Sequence, residues 1–282
     1  MNYERRLQKV IDYIGKHLDE KLTLDQLSDV ACFSKYHFHR LFTAYTGLSL
    51  QQYIRWLRLK RAAHQLLVDK DKSIIEIAIN AGFESHEAFT RAFKQSCGAS
   101  PSEFRSQMSW QAWEKPPYCL SKLKGKVMMN VIIKNKPARR LAVVEHRGDF
   151  EKLGNSYNKL LNWIHSQSNL RLKAGEAFGF AYDDPKTTPA EEFRFDLGIT
   201  VPEQLKLDSN IVEKRLPAGR YAVVVHKGSR DNIGDTVYSL YRDWLPKSGE
   251  ELGDLPCIFS YYNFDHEVAE TELVTECWLL LK

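Results

Sequence analysis

The sequence predicts a multidomain chain: an all-α domain with two helix-turn-helix units, then an α+β domain built as a tandem β-α-β-β repeat. Three observations predict it. Leu24, Leu27, Ala31, Phe33, Phe38, Arg40, Phe42, Gly47, Ser49 and Tyr53 recur as Ile74, Ile77, Ala81, Phe83, Phe89, Arg91, Phe93, Gly98, Ser100 and Phe104, offset by 50 up to Phe33 and by 51 from Phe38. A second run, 137–148, recurs as 217–228 at a constant offset of 80. Between them, 110–126 holds Pro116, Pro117 and Gly125 and shows no period, so it reads as a linker. The expected domains are therefore 1–109 and 127–282, joined by 110–126.

Each element of the first half has a local cause. Leu7, Val10, Ile11, Ile14 and Leu18 fall at helical spacing. Thr23 stands where an N-cap belongs before Leu24 to Val30, and Ser34 before Lys35 to Tyr45, with Gly47 closing that helix. Leu50 to Val68 forms a longer helix with a basic run. Ser73 caps the next short helix, Gly82 supplies the turn, and His86 to Ser96 closes at Gly98. Pro101 opens a last short helix ending near Arg105.

In the second half each copy of the repeated strand precedes an amphipathic helix, near 150–168 and 231–245. Strand candidates follow at 178–181 and 193–201, then at 257–264 and 273–280. Such a duplicate predicts one continuous sheet with a helix pair on one face and a groove near a pseudo-twofold axis.

Composition narrows the function. Residues 1–115 hold 17 basic and 13 acidic side chains, whereas 116–282 hold 23 of each, so the net charge of +4 lies in the half with the first repeat. That placement suits a polyanion partner. No run of about 18 apolar residues and no signal core occur, so the expectation is a cytoplasmic chain without a membrane partner. Cys32, Cys97, Cys119, Cys257 and Cys277 form no Cys-x-x-Cys pair and read as buried thiols; no metal or other cofactor is expected.

The second helix of each unit carries the reading chemistry. Phe38, Leu41, Phe42 and Tyr45 fall on one inward face, which leaves Tyr36, His39 and Arg40 on the other. In the second copy Phe89, Ala92, Phe93 and Ser96 face inward, and Glu87, Thr90 and Arg91 outward, with His86 at the helix start. Arg suits bidentate contact with guanine, and Glu accepts from cytosine. A solvated surface face is the bland alternative for either copy alone.

Residues 20–105 resemble the DNA-binding domain of the AraC/XylS family. The resemblance rests on 34–42 with Thr46-Gly47, on Ile77-Ala78 with 81–85, and on 89–94 through Gly98-Ala99-Ser100-Pro101. It implies seven helices, with base contacts from Tyr36, His39 and Arg40 and from His86, Glu87 and Arg91. Thr23, Ser34, Arg55, Arg58 and Arg61 are the phosphate-contact candidates.

Residues 127–282 resemble the GyrI-like effector-binding domain, through Tyr182-x-Asp184-Pro185, 193–201, 218–223 and Thr275-Glu276-Cys277-Trp278. In order and length the chain is similar to the Rob-like regulators. That implies a transcription activator that binds double-stranded DNA, engages RNA polymerase and answers an amphipathic or cationic small molecule. The alternatives are a protein-binding adaptor and, with a Glu and a Tyr in the groove, a small-molecule hydrolase; no nucleophile–base spacing supports an enzyme. Glu276 and Trp278 share one strand face, and Tyr182, Trp163 and Tyr261 are further ligand candidates, with Phe178 and Tyr262 as aromatic walls. A carboxylate on an apolar face either pairs with a neighbour or awaits a cation. His146 and His226 are repeat-equivalent and read as structural; Asp183 and Asp184 read as loop.

Overall fold

The computed structural model describes residues 3–69, 71–107, 129–167, 170, 173, 175–264 and 267–282. The expected linker, 110–126, and Cys119 lie outside the described residues. The chain divides into two compact units, Asn2–Lys126 and Val127–Lys282.

The described residues of the first unit form α1 (Tyr3–Lys16), α2 (Leu24–Ala31), α3 (Lys35–Thr46), α4 (Leu50–Val68), α5 (Ile74–Asn80), α6 (His86–Cys97) and α7 (Pro101–Gln107). Their starts follow cap chemistry. Thr23 and Ser49 each form a capping box, with Gln26 and Gln52. The Ser73 and Ser85 hydroxyls accept from the N–H groups of Glu76 and Ala88. Ser34 occupies the cap position of α3 but makes no side-chain cap hydrogen bond. Gly47 and Gly98 close α3 and α6 in the left-handed conformation.

Packing repeats with the sequence. Phe38, Phe42 and Tyr53 form an aromatic chain in the first unit copy, and Phe83, Phe89, Phe93 and Phe104 form one in the second. α4 joins them. Its Leu59, Ala62, Ala63 and Leu66 share a core with Ile77, Phe89 and Phe93.

The second unit is an eight-stranded sheet: β1 (Ile132–Lys136), β2 (Arg139–Arg147), β3 (Ala177–Ala181), β4 (Arg194–Thr200), β5 (Val212–Leu216), β6 (Gly219–Lys227), β7 (Cys257–Tyr261) and β8 (Val274–Leu280). The order is β1-β6-β8-β7-β3-β4-β2-β5, with every neighbouring pair antiparallel. β3 and β7 pair symmetrically: Ala177 faces Tyr261, Gly179 faces Phe259 and Ala181 faces Cys257. The offset of 80 carries the Ala177–Tyr261 pair onto the Cys257–Ala181 pair and Gly179 onto its own partner, so a pseudo-twofold axis passes through the Gly179–Phe259 pair. The edge strands β1 and β5 were not among the expected strands. They too obey the offset of 80, Lys134 matching Lys214 and Pro137 matching Pro217.

α8 (Leu153–Ser166) packs on β2 and β4, and α9 (Ile233–Ser239) packs on β6. A π turn, 240–244, and a short helix α10 (Leu245–Ser248) continue the second helix. The repeat explains the π turn. Ser156 and Leu160 match Thr236 and Leu240 at an offset of 80, but Trp163 and Ile164 match Trp244 and Leu245 at 81. One inserted residue is absorbed as a wider turn, which keeps Leu240 and Leu245 both buried. His146 and His226 sit beneath these helices. Their Nδ1 atoms bond Ser156 Oγ at 3.0 Å and Thr236 Oγ1 at 2.8 Å, a structural role for both. Asp183 and Asp184 lie between β3 and β4 outside any strand, and Asp184 is buried, accepting a hydrogen bond from Tyr238.

Candidate functional site

The two second helices of the helix-turn-helix units differ in what they expose. On α6, His86, Glu87 and Arg91 are exposed and Thr90 half-buried, while Phe89, Ala92 and Phe93 are buried. Ser96, expected inward, is exposed, with its hydroxyl donating back to the Ala92 carbonyl at 2.9 Å. Glu87 is held below the usual carboxylate range by its own backbone N–H and the Ser85 hydroxyl, with smaller help from His86 and Arg91. It therefore stays a pure acceptor at neutral pH.

α3 corrects the expectation for Arg40. That side chain is only 4% exposed, not projected outward. The cause lies in the neighbours: α3 packs on α1, α2 and α4. α3 buries a second stripe there, His37, Arg40 and Ala44, beside Phe38, Leu41 and Phe42, whereas α6, which also packs on three helices, α4, α5 and α7, leaves Arg91 exposed. Tyr36, His39 and Thr43, at i, i+3 and i+7, stay half-exposed, as do Tyr45 and Thr46 at the helix end, and Lys35 is exposed and paired with Asp25 at 2.7 Å.

The phosphate-contact candidates also separate. Thr23 is exposed but its hydroxyl caps α2. The Ser34 hydroxyl is buried and has no partner among the described residues. Arg55 is exposed and lies 5.4 Å from the Phe83 ring centre. Arg58 and Arg61 hold the fold together instead of pointing at solvent. Arg58 donates to the carbonyls of Leu18 and Glu20 at 3.0 and 3.1 Å. Arg61 forks onto Asp19 at 3.0 and 2.6 Å and reaches the Asn80 carbonyl. Thus α4 is tied both to the α1–α2 turn and to the end of α5. Cys32, expected buried, is exposed.

In the second unit the ligand candidates fall on opposite faces of the sheet. Residues directly opposed across strands share a face. Trp278 opposes Val223 and Ile258, and Glu276 opposes Val225 and Ser260. Phe178 opposes Ser260 and Phe180 opposes Ile258, so Tyr182, two beyond Phe180, belongs with them. Tyr261 opposes Thr275, which opposes His226 on the face that α8 and α9 cover. Trp163 sits on α8 itself, beside Val144 in a cavity of about 630 Å³. Glu276, Trp278 and Tyr182 are therefore brought together on the face opposite α8 and α9, and Tyr261 and Trp163 are not.

That face carries a duplicated polar set. Glu276, 4% exposed, pairs with Lys134 at 2.9 Å and Lys136 at 3.3 Å and accepts from Trp278 Nε1 at 2.8 Å. Burial pushes the Glu276 carboxyl up, but Lys134, Trp278 and Lys136 outweigh it and leave it lowered. The open question at Glu276 resolves toward pairing. At the equivalent place, Asp196 is wholly buried and binds Lys214 at 2.5 Å and Arg147 at 2.7 Å. Tyr182 and Tyr262, again 80 apart, complete the two sets. Lys214 donates to the Tyr182 hydroxyl at 3.2 Å. Burial, then the Asp196 charge, push Tyr182 up to about 12; burial and Glu276 also raise Tyr262. Sequence reasoning missed Asp196, Lys214 and Lys134. The offset of 80, extended before 137 and past 148, would have found them.

Among the described residues no cluster of three or more His, Cys, Asp or Glu side chains is placed to hold a metal. No described helix is long and apolar enough to cross a membrane.

Comparison with known proteins agrees with this division. Residues 129–282 match the model of the GyrI-like small molecule binding domain, and residues 27–107 match that of a helix-turn-helix domain. "Probable transcriptional regulator YgiV" of Escherichia coli (strain K12) is 35% identical over 154 residues, 54% of this chain and 96% of that protein. "Uncharacterized HTH-type transcriptional regulator YbfP" of Bacillus subtilis (strain 168) is 41% identical over 129 residues, 45% of this chain and 43% of that one. "Transcriptional regulator Rob" of Salmonella typhimurium is 34% identical over 112 residues, 39% of this chain and 38% of that one. The chain thus spans nearly all of YgiV and less than half of YbfP and Rob.

Proposed function

This chain belongs to the GyrI-like small molecule binding domain family, joined to an AraC-type helix-turn-helix domain, and we propose from that premise that it is a sequence-specific activator of transcription. Its N-terminal domain, 1–109, binds double-stranded DNA. Its C-terminal domain, 127–282, senses a small molecule on the sheet face that carries Glu276, Trp278 and Tyr182. It works in the cytoplasm and acts on RNA polymerase.

The observation that carries the reading is α6. An exposed Arg91, an ionised Glu87 and His86 lie on the second helix of a helix-turn-helix unit. Arg reads guanine by a two-pronged contact and Glu selects cytosine, so this trio suits a major groove. The excess of four basic residues in 1–115 supplies the general attraction to phosphates.

Selection of bound duplexes from random DNA tests it. The expected result is an enriched motif, with Arg91→Ala weakening binding to it by about 1–3 kcal/mol and relaxing one position. Absence of any enriched motif, or unchanged specific affinity in Arg91→Ala, removes the reading.

A further inference from the structure

The site around Glu276 has more positive charge than its carboxylate can neutralise. Lys134 and Lys136 both contact Glu276. Burial, with smaller help from the charges of Lys134 and Arg139, lowers Lys136 in spite of Glu276. Two lysines therefore share one carboxylate, with Arg139 close by over the Phe178 ring. Lys134, by contrast, is raised through its hydrogen bond to Glu276, so the more buried lysine is the one under electrostatic pressure.

The aromatic surfaces here are already occupied by the protein's own cations. Lys136 Nζ stands 4.0 Å from the Trp278 ring centre, and Arg139 Cζ 5.5 Å from that of Phe178. An external cation would have to displace them and break two ion pairs to reach Glu276.

Two buried hydrogen-bonding groups in the same place lack partners among the described residues: Arg139 Nε and the hydroxyl of Ser260, which is 0% exposed. Ser260 opposes both Phe178 and Glu276 across its neighbouring strands, and Arg139 stacks on Phe178. Buried polar groups are normally paired, and an orphaned donor calls for an acceptor.

We propose that this face takes an anionic amphiphile, a carboxylate carried on an apolar body, and rejects a cation of the same shape. The carboxylate accepts from Arg139 and Ser260 and offsets the charge of Lys134 and Lys136, while the body lies on the apolar surface of Phe178 and its neighbours. This rests on the reading of the second domain as a small-molecule sensor and reverses the cationic effector that the family resemblance implies.

The test uses the full chain and two probes of matched shape, naphthalene-2-carboxylate and 2-naphthyltrimethylammonium, followed by calorimetry. The carboxylate should bind at least about tenfold more tightly, a difference of about 1.4 kcal/mol. Arg139→Gln should weaken the carboxylate about tenfold, and Glu276→Gln, which removes a repelling charge, should strengthen it. Circular dichroism checks that both variants fold. Equal or tighter binding of the cation overturns the charge preference and leaves the sensor reading standing. Binding of neither probe at millimolar concentration overturns both.

Discussion

Arg40 and Arg91 occupy equivalent places in a repeat, yet one is buried and the other exposed. Equivalent letters do not guarantee equivalent surroundings: α3 packs on α1, α2 and α4, and α6 on α4, α5 and α7, yet only α3 closes over its arginine. Cys32 makes the same point about backbone. It stands where the second copy has Gly82, and both adopt positive φ, 52° and 78°. The left-handed conformation costs a residue with a side chain about 1–2 kcal/mol, and glycine's greater freedom when unfolded offsets about 0.5–1 kcal/mol of the relief. Cys32→Gly should therefore stabilise the first unit by about 0.5–1 kcal/mol, read as a higher urea midpoint at unchanged slope. A lower midpoint would mean that the thiol contributes packing which outweighs the strain.

At the scale of elements, the tightest constraint lies on the pseudo-twofold axis. A Cβ added at Gly179 would come within 2.5 Å of the Tyr261 hydroxyl and 2.6 Å of the Phe195 ring, while the equivalent residue is Phe259. The two halves cannot both place a ring at this pair, so one copy gives up its side chain. Gly179→Ala should destabilise the domain by about 1–3 kcal/mol, measured as a lower melting temperature, because two aromatic groups must move. A neutral result would show that Tyr261 swings away without cost.

The helices of the first unit were legible because caps, glycines and a 3.6-residue period all agree there. β1 and β5 were not. Their sequences, Ile132-Ile133-Lys134-Asn135-Lys136 and Val212-Glu213-Lys214-Arg215-Leu216, are charged, as suits strands at a sheet edge. The candidate site was legible in part for a related reason. Alternation put Glu276 and Trp278 on one face, but which face Tyr261 joins depends on cross-strand register, and one strand's pattern does not encode its partner. Tyr261 lies on the opposite face for that reason, and Trp163 lies on α8, which covers that face.

The whole molecule joins two duplications that have drifted differently. In the sheet, the duplicated carboxylate, lysine and tyrosine survive in both halves. In the helical unit, the scaffold survives while the reading surfaces diverge: α6 offers His86, Glu87 and Arg91, but α3 offers Tyr36, His39 and Lys35 without its arginine. Base discrimination of about 1–3 kcal/mol comes from well-formed two-pronged contacts; exposed Arg91 can offer one, whereas Arg40 is buried and Lys35 is paired with Asp25 at 2.7 Å. The DNA motif should therefore be lopsided, with a sharply defined segment read by α6 and a weakly defined one read by α3. In selected sequences, Tyr36→Ala with His39→Ala should leave the sharp segment unchanged and flatten only the weak one. Arg91→Ala should erase a position from the sharp one. Two segments of equal information content would contradict this asymmetry, since they would require a base contact that buried Arg40 does not provide.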